Sequence, residues 1–261
     1  MENESSARLR QQAITLTVER DGFARVSDLS HDLGVSAVTI RTDLDRLEVA
    51  GRIIRVRGGA VPRIGGRREV PFEIASDEAG PAKAQIARAA VDLIESGDTI
   101  LLDVGTTTTA IARELVLRTT LRDVTVFTNS LTIALALEQG ADRLQIIVSG
   151  GTLRPMQHSL VEPLATTLLQ GLHAHLAFIG CNGVHPSAGV TNVNLPEASM
   201  KRAMLAAARR RVIVADGNKL GEIELARVCE LDEIHLLVTD ANADTQSVEE
   251  LRKAGLDVVV A

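Results

Sequence analysis

The stretch LLDVGTTTTAIAREL, residues 101–115, holds the residue types of an anion cradle. An apolar run ends in Asp103, Gly105 lets the backbone turn tightly, and Thr106 to Thr109 open an amphipathic helix. Backbone amides at a helix N-terminus, assisted by hydroxyls and the helix dipole, donate to an anion. The Gly-x4-Gly-Lys-Ser/Thr pattern of a triphosphate cradle is absent, and no magnesium ligand pair accompanies the loop. The expected ligand is therefore an anion the size of a sugar monophosphate rather than ATP; the alternative is a threonine-capped helix with no ligand. Lysines supply further charge: Lys83 near the start of the helix before this strand, Lys201 four residues after Glu197, and Lys219 three after Asp216. As ligand clamps, Lys201 and Lys219 belong at the mouth of a crevice. Glu197 and Lys201 could equally form a surface i,i+4 pair worth a few tenths of a kcal/mol.

From Ala82 onward, runs rich in β-branched residues alternate with helical stretches. The runs TILLDVG, VTVFTNS, LQIIVSGG, LAFIGCNG, RVIVADGN, IHLLVTDA and LDVVVA are separated by segments such as AQIARAAVDLI and ASMKRAMLAAA. This alternation predicts a Rossmann-like, mostly parallel α/β domain with helices on both faces of the sheet. Five runs end in small polar residues, at Asp103, Thr128-Asn129-Ser130, Ser149-Gly150-Gly151, Gly180-Cys181-Asn182-Gly183 and Asp216. Ligands of open α/β sheets bind outside the carboxyl ends of the strands, so these termini should converge on one crevice.

The first sixty residues read differently, as a mostly α winged helix-turn-helix. Leu9, Ile14, Leu16 and Val18 mark an amphipathic helix stopped near Gly22; a short extended piece and a compact helix follow, with Ser27 as N-cap and Gly34 as the turn. A third helix starts at the N-cap Ser36 and ends at Gly51. Its stripe of Ile40, Leu44 and Leu47 faces inward, which turns Val38, Thr42, Asp45 and Val49 outward with Thr39, Arg41 and Arg46 on the flanks. Small, polar and cationic side chains on one face suit a helix laid in the DNA major groove. GRIIRVRGGAVPR then reads as a two-stranded wing turning at Gly58-Gly59, with Arg55 and Arg57 exposed for the phosphate backbone or minor groove. A small helical bundle that only dimerises is the competing reading.

The chain has 261 residues and a net charge of −6, unevenly spread. Residues 1–68 hold 12 Arg and no Lys against 9 acidic residues, a balance of +3, so the remainder carries −9. The expected division is 1–62 for the DNA-binding head, 63–80 for an aperiodic linker and 81–261 for the α/β domain. No run approaches a membrane span of about 20 apolar residues, and the polar start lacks a signal core, so the expectation is a cytoplasmic protein without membrane contact. Cys181 and Cys229 lack metal-ligand spacing and read as reduced, buried thiols. With no Trp or Tyr and four Phe, ligand recognition should rest on hydrogen bonds and charge rather than stacking.

VSAVTIRTDLDRLEVAGRIIRVRGGA, residues 35–60, resembles the signature of the DeoR family of bacterial transcriptional regulators. The family carries a second Arg where this chain has Thr42 and often a His where it has Arg57. GDTILLDVGTTT, VFTNS, VSGGTLR, AFIGCNGV, EASMKRAM and ADGNKLG resemble the family's effector domain, whose fold is similar to ribose-5-phosphate isomerase. The resemblance implies an effector site of Asp103, Gly105, Thr106, Thr107, Thr108, Asn129, Gly150, Gly151, Arg154, Glu197, Lys201 and Lys219, beside Lys83. The isomerases place an acidic cluster where this chain has the neutral Asn182, and the next carboxylate in sequence is Glu197. Proton shuttling needs a positioned base, so the expectation is binding without turnover. The expected protein is a repressor of a carbohydrate operon, with no cofactor or metal, that binds double-stranded operator DNA as a homodimer or homotetramer and responds to a phosphorylated sugar. The competing functions are an active sugar-phosphate isomerase with an accessory winged-helix head, and a protein-interaction adaptor.

Overall fold

Helical periodicity dominates the start of the chain, and a strand pattern takes over where the arginine-rich segment begins. In the computed structural model, which describes residues 2–49, 52–62, 71–77 and 80–261, this part comprises α1 (Glu2–Asp21), β1 (Ala24–Arg25), α2 (Val26–Asp32), α3 (Ala37–Val49), β2 (Ile53–Val56) and β3 (Gly59–Pro62). Ile14 and Val18, four apart on α1, pack with Val26, Leu29, Ile40, Leu44, Leu47, Ile53 and Ala60 in one core. Leu9 and Leu16, expected in the same apolar stripe, are exposed: they lie seven apart and so share a different face of α1. The buried Asp43 carboxylate accepts from the Arg10 guanidinium and, at 2.8 Å, from the Gln11 amide, which ties α3 to α1 and satisfies the charge.

Three local expectations need correction. Ser27 is not the cap of α2; Arg25 holds the cap position without a side-chain bond, and the Ser27 hydroxyl donates to Asp28 at 2.8 Å. The wing has three strands, ordered β1-β3-β2, because Ala24 and Arg25 pair antiparallel with Ala60 and Gly59. Its turn is Arg57-Gly58, with Val56 opposite Gly59. The expected end of the third helix at Gly51 lies outside the described residues, as do 63–70 and 78–79 of the linker. Phe72–Asp77 of that linker is the helix α4, where no periodicity had been expected.

The chain divides into two compact units, Met1–Ile74 and Ala75–Ala261. The second runs through α5 (Gly80–Val91), β4 (Thr99–Leu102), α6 (Thr106–Leu117), β5 (Val124–Thr128), α7 (Leu131–Leu137), β6 (Leu144–Val148), β7 (Thr152–Arg154), β8 (Ser159–Val161), α8 (Leu164–Leu169), β9 (Ala174–Gly180), β10 (Gly183–His185), β11 (Gly189–Asn192), α9 (Leu195–Ala206), β12 (Ala208–Val214), β13 (Ala226–Cys229), β14 (Leu236–Thr239), α10 (Thr245–Lys253) and β15 (Val258–Val260). All seven predicted runs form one sheet, ordered β15-β14-β12-β9-β4-β5-β6, and every pairing in it is parallel.

Alternate residues of these strands face opposite layers. Ile100, Leu102, Val124, Val126, Phe178 and Val212 pack under α5, α6 and α7. Leu101, Phe127, Ala177, Ile179 and Ile213 pack with α8, α9, α10 and the antiparallel sheet β10-β11-β13. Burial on both faces explains why the strands read as continuous apolar runs. Sequence order steps away from the centre in both directions, so the switch point falls between β4 and β9.

Candidate functional site

At that switch point, Asp103 follows the last residue of β4, and β9 ends in Gly180. Asp103 is fully buried; its Oδ2 accepts the Gly180 N–H at 3.2 Å and forms an ion pair with the Lys201 ammonium, which α9 carries into the interior. Burial pushes the Asp103 carboxyl up to about 6, against the pull of Lys201 and with help from the nearby Glu197 charge. Burial works against the Lys201 ammonium, but Asp103 and Glu197 more than offset it and hold its pKa above the ordinary lysine value. The pair is therefore ionised at neutral pH. The other oxygen, Asp103 Oδ1, is buried with no hydrogen-bond partner among the described residues, as is the Ser149 hydroxyl just past β6.

Two residues on, Gly105 starts α6 with φ of 152°, a region open only to glycine, and a β-carbon there would sit 3.2 Å from the Thr108 hydroxyl. The N-cap Gly105 makes no side-chain hydrogen bond, so among the described residues no side chain caps the first amides of α6. The four threonines divide. Thr108 and Thr109 donate their hydroxyls to the Gly105 carbonyl at 3.0 and 2.7 Å and lock the turn. Thr106 and Thr107 make no side-chain hydrogen bond among the described residues; Thr106 is half-buried and Thr107 buried.

Glu197 is held separately. Its N–H donates to the N-cap Asn194 at 3.1 Å, and its carboxylate accepts from the Arg154 guanidinium and, at 2.9 Å, from the Ser159 hydroxyl. Both Glu197 and Lys201 are buried, which removes the surface-pair reading and corrects the expectation that Lys201 stands at the mouth of a crevice. Ser159, invisible as a site residue in sequence, joins the group because β7 and β8 form a hairpin that brings it back to Glu197. Lys219, half-buried in a single helical turn after Asp216, has no ion pair among the described residues. Burial of the sulfur pushes the Cys181 thiol up to about 12 against the pull of Lys201 and Lys219, although the residue as a whole is only half-buried; Cys229 is buried.

Of the remaining candidates, Asn129 and Lys83 make internal hydrogen bonds and Gly151 admits a close backbone approach. Asn129 is buried, with Oδ1 accepting the Val104 N–H at 3.0 Å and Nδ2 reaching the Leu160 carbonyl at 3.4 Å, so it braces the Asp103–Gly105 turn. Lys83 is buried and donates to the Ala75 carbonyl within α4. Gly151, at φ of 133°, allows the Val161 carbonyl to approach within 2.2 Å of where a β-carbon would stand, and Gly150 is exposed. Asn182 Oδ1 accepts the Val193 N–H at 3.2 Å, so this side chain too is structurally engaged.

In the first unit, α3 presents Val38, Arg41, Thr42, Asp45, Arg46 and Val49 to solvent. Ser36 caps the helix, accepting the Thr39 N–H at 3.2 Å, and the Ser36 and Thr39 hydroxyls bond each other at 2.9 Å. The Thr42 hydroxyl donates to the Val38 carbonyl at 3.1 Å, leaving its methyl group outward. Arg55, expected on the open side of the wing, is half-buried: its guanidinium pairs with Asp45, and its N–H donates to Glu48 at 2.8 Å. Both bonds fix the wing against α3. Arg57 is exposed at the wing turn.

The family described as the DeoR-like helix-turn-helix domain matches residues 10–62, and the DeoR C-terminal sensor domain matches residues 78–241. The HTH-type transcriptional regulator GlpR of Haloferax volcanii is 36% identical over 97% of this chain and 97% of its own. The lactose phosphotransferase system repressor of Staphylococcus epidermidis is 29% identical over 89% of this chain and 92% of its own. Among solved structures, ribose 5-phosphate isomerase A of Methanocaldococcus jannaschii aligns over 52% of each chain with a TM-score of 0.39 and 19% identity.

Proposed function

This chain belongs to the DeoR family of transcriptional regulators, and on that premise we propose that it represses a carbohydrate catabolic operon, with its operator affinity set by a phosphorylated sugar or sugar derivative bound at the switch-point crevice. The observation that carries the ligand class is the N-terminus of α6, uncapped by any side chain among the described residues, beside the half-buried Thr106, at the carboxyl edge of a parallel sheet. The buried Asp103 Oδ1, which has no hydrogen-bond partner among the described residues, calls for a donor, which a sugar hydroxyl supplies. Lys219 adds a cation that makes no ion pair among the described residues.

In the head, Ser36, Val38, Thr39, Arg41, Thr42 and Arg46 form the face that reads the major groove, and Arg57 reaches the phosphate backbone. Arg55 sets the wing angle through Asp45. Turnover is not part of this reading, because Glu197 is tied to Arg154 and Ser159, Asp103 to Lys201, and the position beyond β9 carries the engaged amide of Asn182. An isomerase assay with pentose and hexose phosphates tests the enzymatic alternative, and catalysis there would replace this reading.

The direct test pairs a thermal-shift screen of phosphorylated sugars with operator release by the hit. Thr106→Glu puts a carboxylate where the anion sits, so the variant should hold its operator and ignore the ligand. Release at the wild-type ligand concentration would reduce the α6 turn to a helix start with no binding role.

A further inference from the structure

Opposite its buried stripe, α3 turns Val38, Thr42 and Asp45 to solvent, spaced four and three apart; Val38 is 68% exposed. On a helix laid in the major groove this stripe meets the base edges, and the exposed Arg41 and Arg46 on its flanks lie nearer the phosphates. What the stripe can offer a base depends on which of its polar groups are already committed.

The Thr42 hydroxyl donates its one proton to the Val38 carbonyl at 3.1 Å. No proton is left for a base acceptor, and the methyl group is what points outward. Val38 has no polar side-chain atom at all. The Asp45 carboxylate, of a type that can accept from a cytosine amine, is paired with the Arg55 guanidinium, and the Arg55 N–H is fixed in turn on Glu48 at 2.8 Å. At the start of the helix the Ser36 and Thr39 hydroxyls bond each other at 2.9 Å. The middle of the face is therefore made of methyl groups, with cations only at its sides. In the major groove thymine alone presents an apolar group, its C5-methyl.

Resting on the operator-binding reading above, we infer that Val38 and Thr42 are specificity-determining residues that select thymine, each packing methyl groups on the C5-methyl of one base. Four residues of helix rise about 6 Å, close to two base steps of roughly 3.4 Å, so the two thymines belong within two steps of each other in the operator.

The test uses the full chain and a duplex that it enriches from a random-sequence pool, with affinity read by fluorescence anisotropy at one fixed salt concentration. Each thymine of the enriched core is replaced in turn by deoxyuridine, which removes the methyl group alone. Wild type should lose roughly three- to fivefold in affinity at one thymine through Thr42 and at a second through Val38, the worth of one buried methyl group each. Thr42→Ser, which keeps the hydroxyl and drops the methyl, should bind the thymine and uracil duplexes alike at the first position and still discriminate at the second. Thr42→Val, which keeps methyl groups and drops the hydroxyl, should prefer thymine again. Val38→Ala should lose discrimination at the second position only.

A wild type that binds the uracil duplexes as tightly as the thymine ones overturns the proposal. So does a uracil penalty that Thr42→Ser keeps in full, the mark of an effect on groove shape rather than a contact, or a Thr42→Val protein that behaves like Thr42→Ser, which would assign the readout to the hydroxyl. A chain that enriches no sequence removes the repressor reading and this proposal together, whereas one that enriches a sequence and ignores its thymine methyls removes this proposal alone.

Discussion

Asp103 and Lys201 show how far residue types alone can be read. Their identities marked them as polar groups near a strand end and on a helix, but their depth depends on β4 and α9 meeting across the switch point. Spacing along α9 offered Glu197 as the partner of Lys201; tertiary contacts instead give Glu197 to Arg154 and Ser159, residues 43 and 38 positions away. Removing one member of a buried pair leaves an uncompensated charge, so Lys201→Met should cost about 3–5 kcal/mol in urea unfolding, while Asp103→Asn/Lys201→Met costs less than the single variant. The pH dependence has a definite sign. Because the folded-state carboxyl of Asp103 titrates near 6, above its unfolded value, the folded chain binds the extra proton between about pH 4 and 6, and this group's contribution to stability is lost as pH rises through that window. On going from pH 4.5 to 7, wild type should therefore gain less stability, or lose more, than Asp103→Asn/Lys201→Met. Equal changes in the two proteins would contradict this assignment.

At the scale of elements, the turn from β4 into α6 rests on one glycine. Gly105→Ala would force a side chain into φ near 152° against the Thr108 hydroxyl, a strain of order 1–3 kcal/mol. Urea unfolding should register that loss, and ligand affinity should fall with it because the α6 amides shift; unchanged stability would mean the turn relaxes freely. This turn was legible because a glycine between a β-branched run and a threonine-led helix has few other uses. The seven parallel strands were legible for a related reason, since burial on both faces makes each a continuous apolar run. The hairpin β7-β8 and the sheet β10-β11-β13 were not. Their strands are three or four residues long, too short for alternation to register, and β13 joins β11 from far along the chain. The third strand of the wing escaped likewise, as β1 has two residues. In α3 the period of the apolar positions sufficed: Ile40, Leu44 and Leu47 are buried, and the opposite face is open. Arg55 misled because strand alternation says which face a side chain leaves from and not that Asp45 waits beside it.

For the whole molecule, the proposed repressor couples two sites in separate units, one for DNA in the first and one for a phosphorylated sugar in the second. A ligand shifts operator affinity only as far as it favours one state of the molecule over the other, and the same free energy must then act in reverse. Regulatory couplings of this kind amount to about 1–3 kcal/mol, or roughly 5–150-fold in affinity. The prediction is a closed thermodynamic cycle. The factor by which saturating ligand weakens operator binding, measured by fluorescence anisotropy, should equal the factor by which saturating operator weakens ligand binding, measured by calorimetry under the same salt. Salt must be held constant because phosphate contacts release counterions and make the DNA arm alone steeply dependent on it. Thr106→Glu should collapse the cycle by removing the ligand arm, whereas Arg41→Ala should weaken operator binding while leaving ligand affinity for the free protein at the wild-type value. Loss of ligand affinity in Arg41→Ala, away from DNA, would show that the head contributes to the sugar site and that the two-site scheme is wrong.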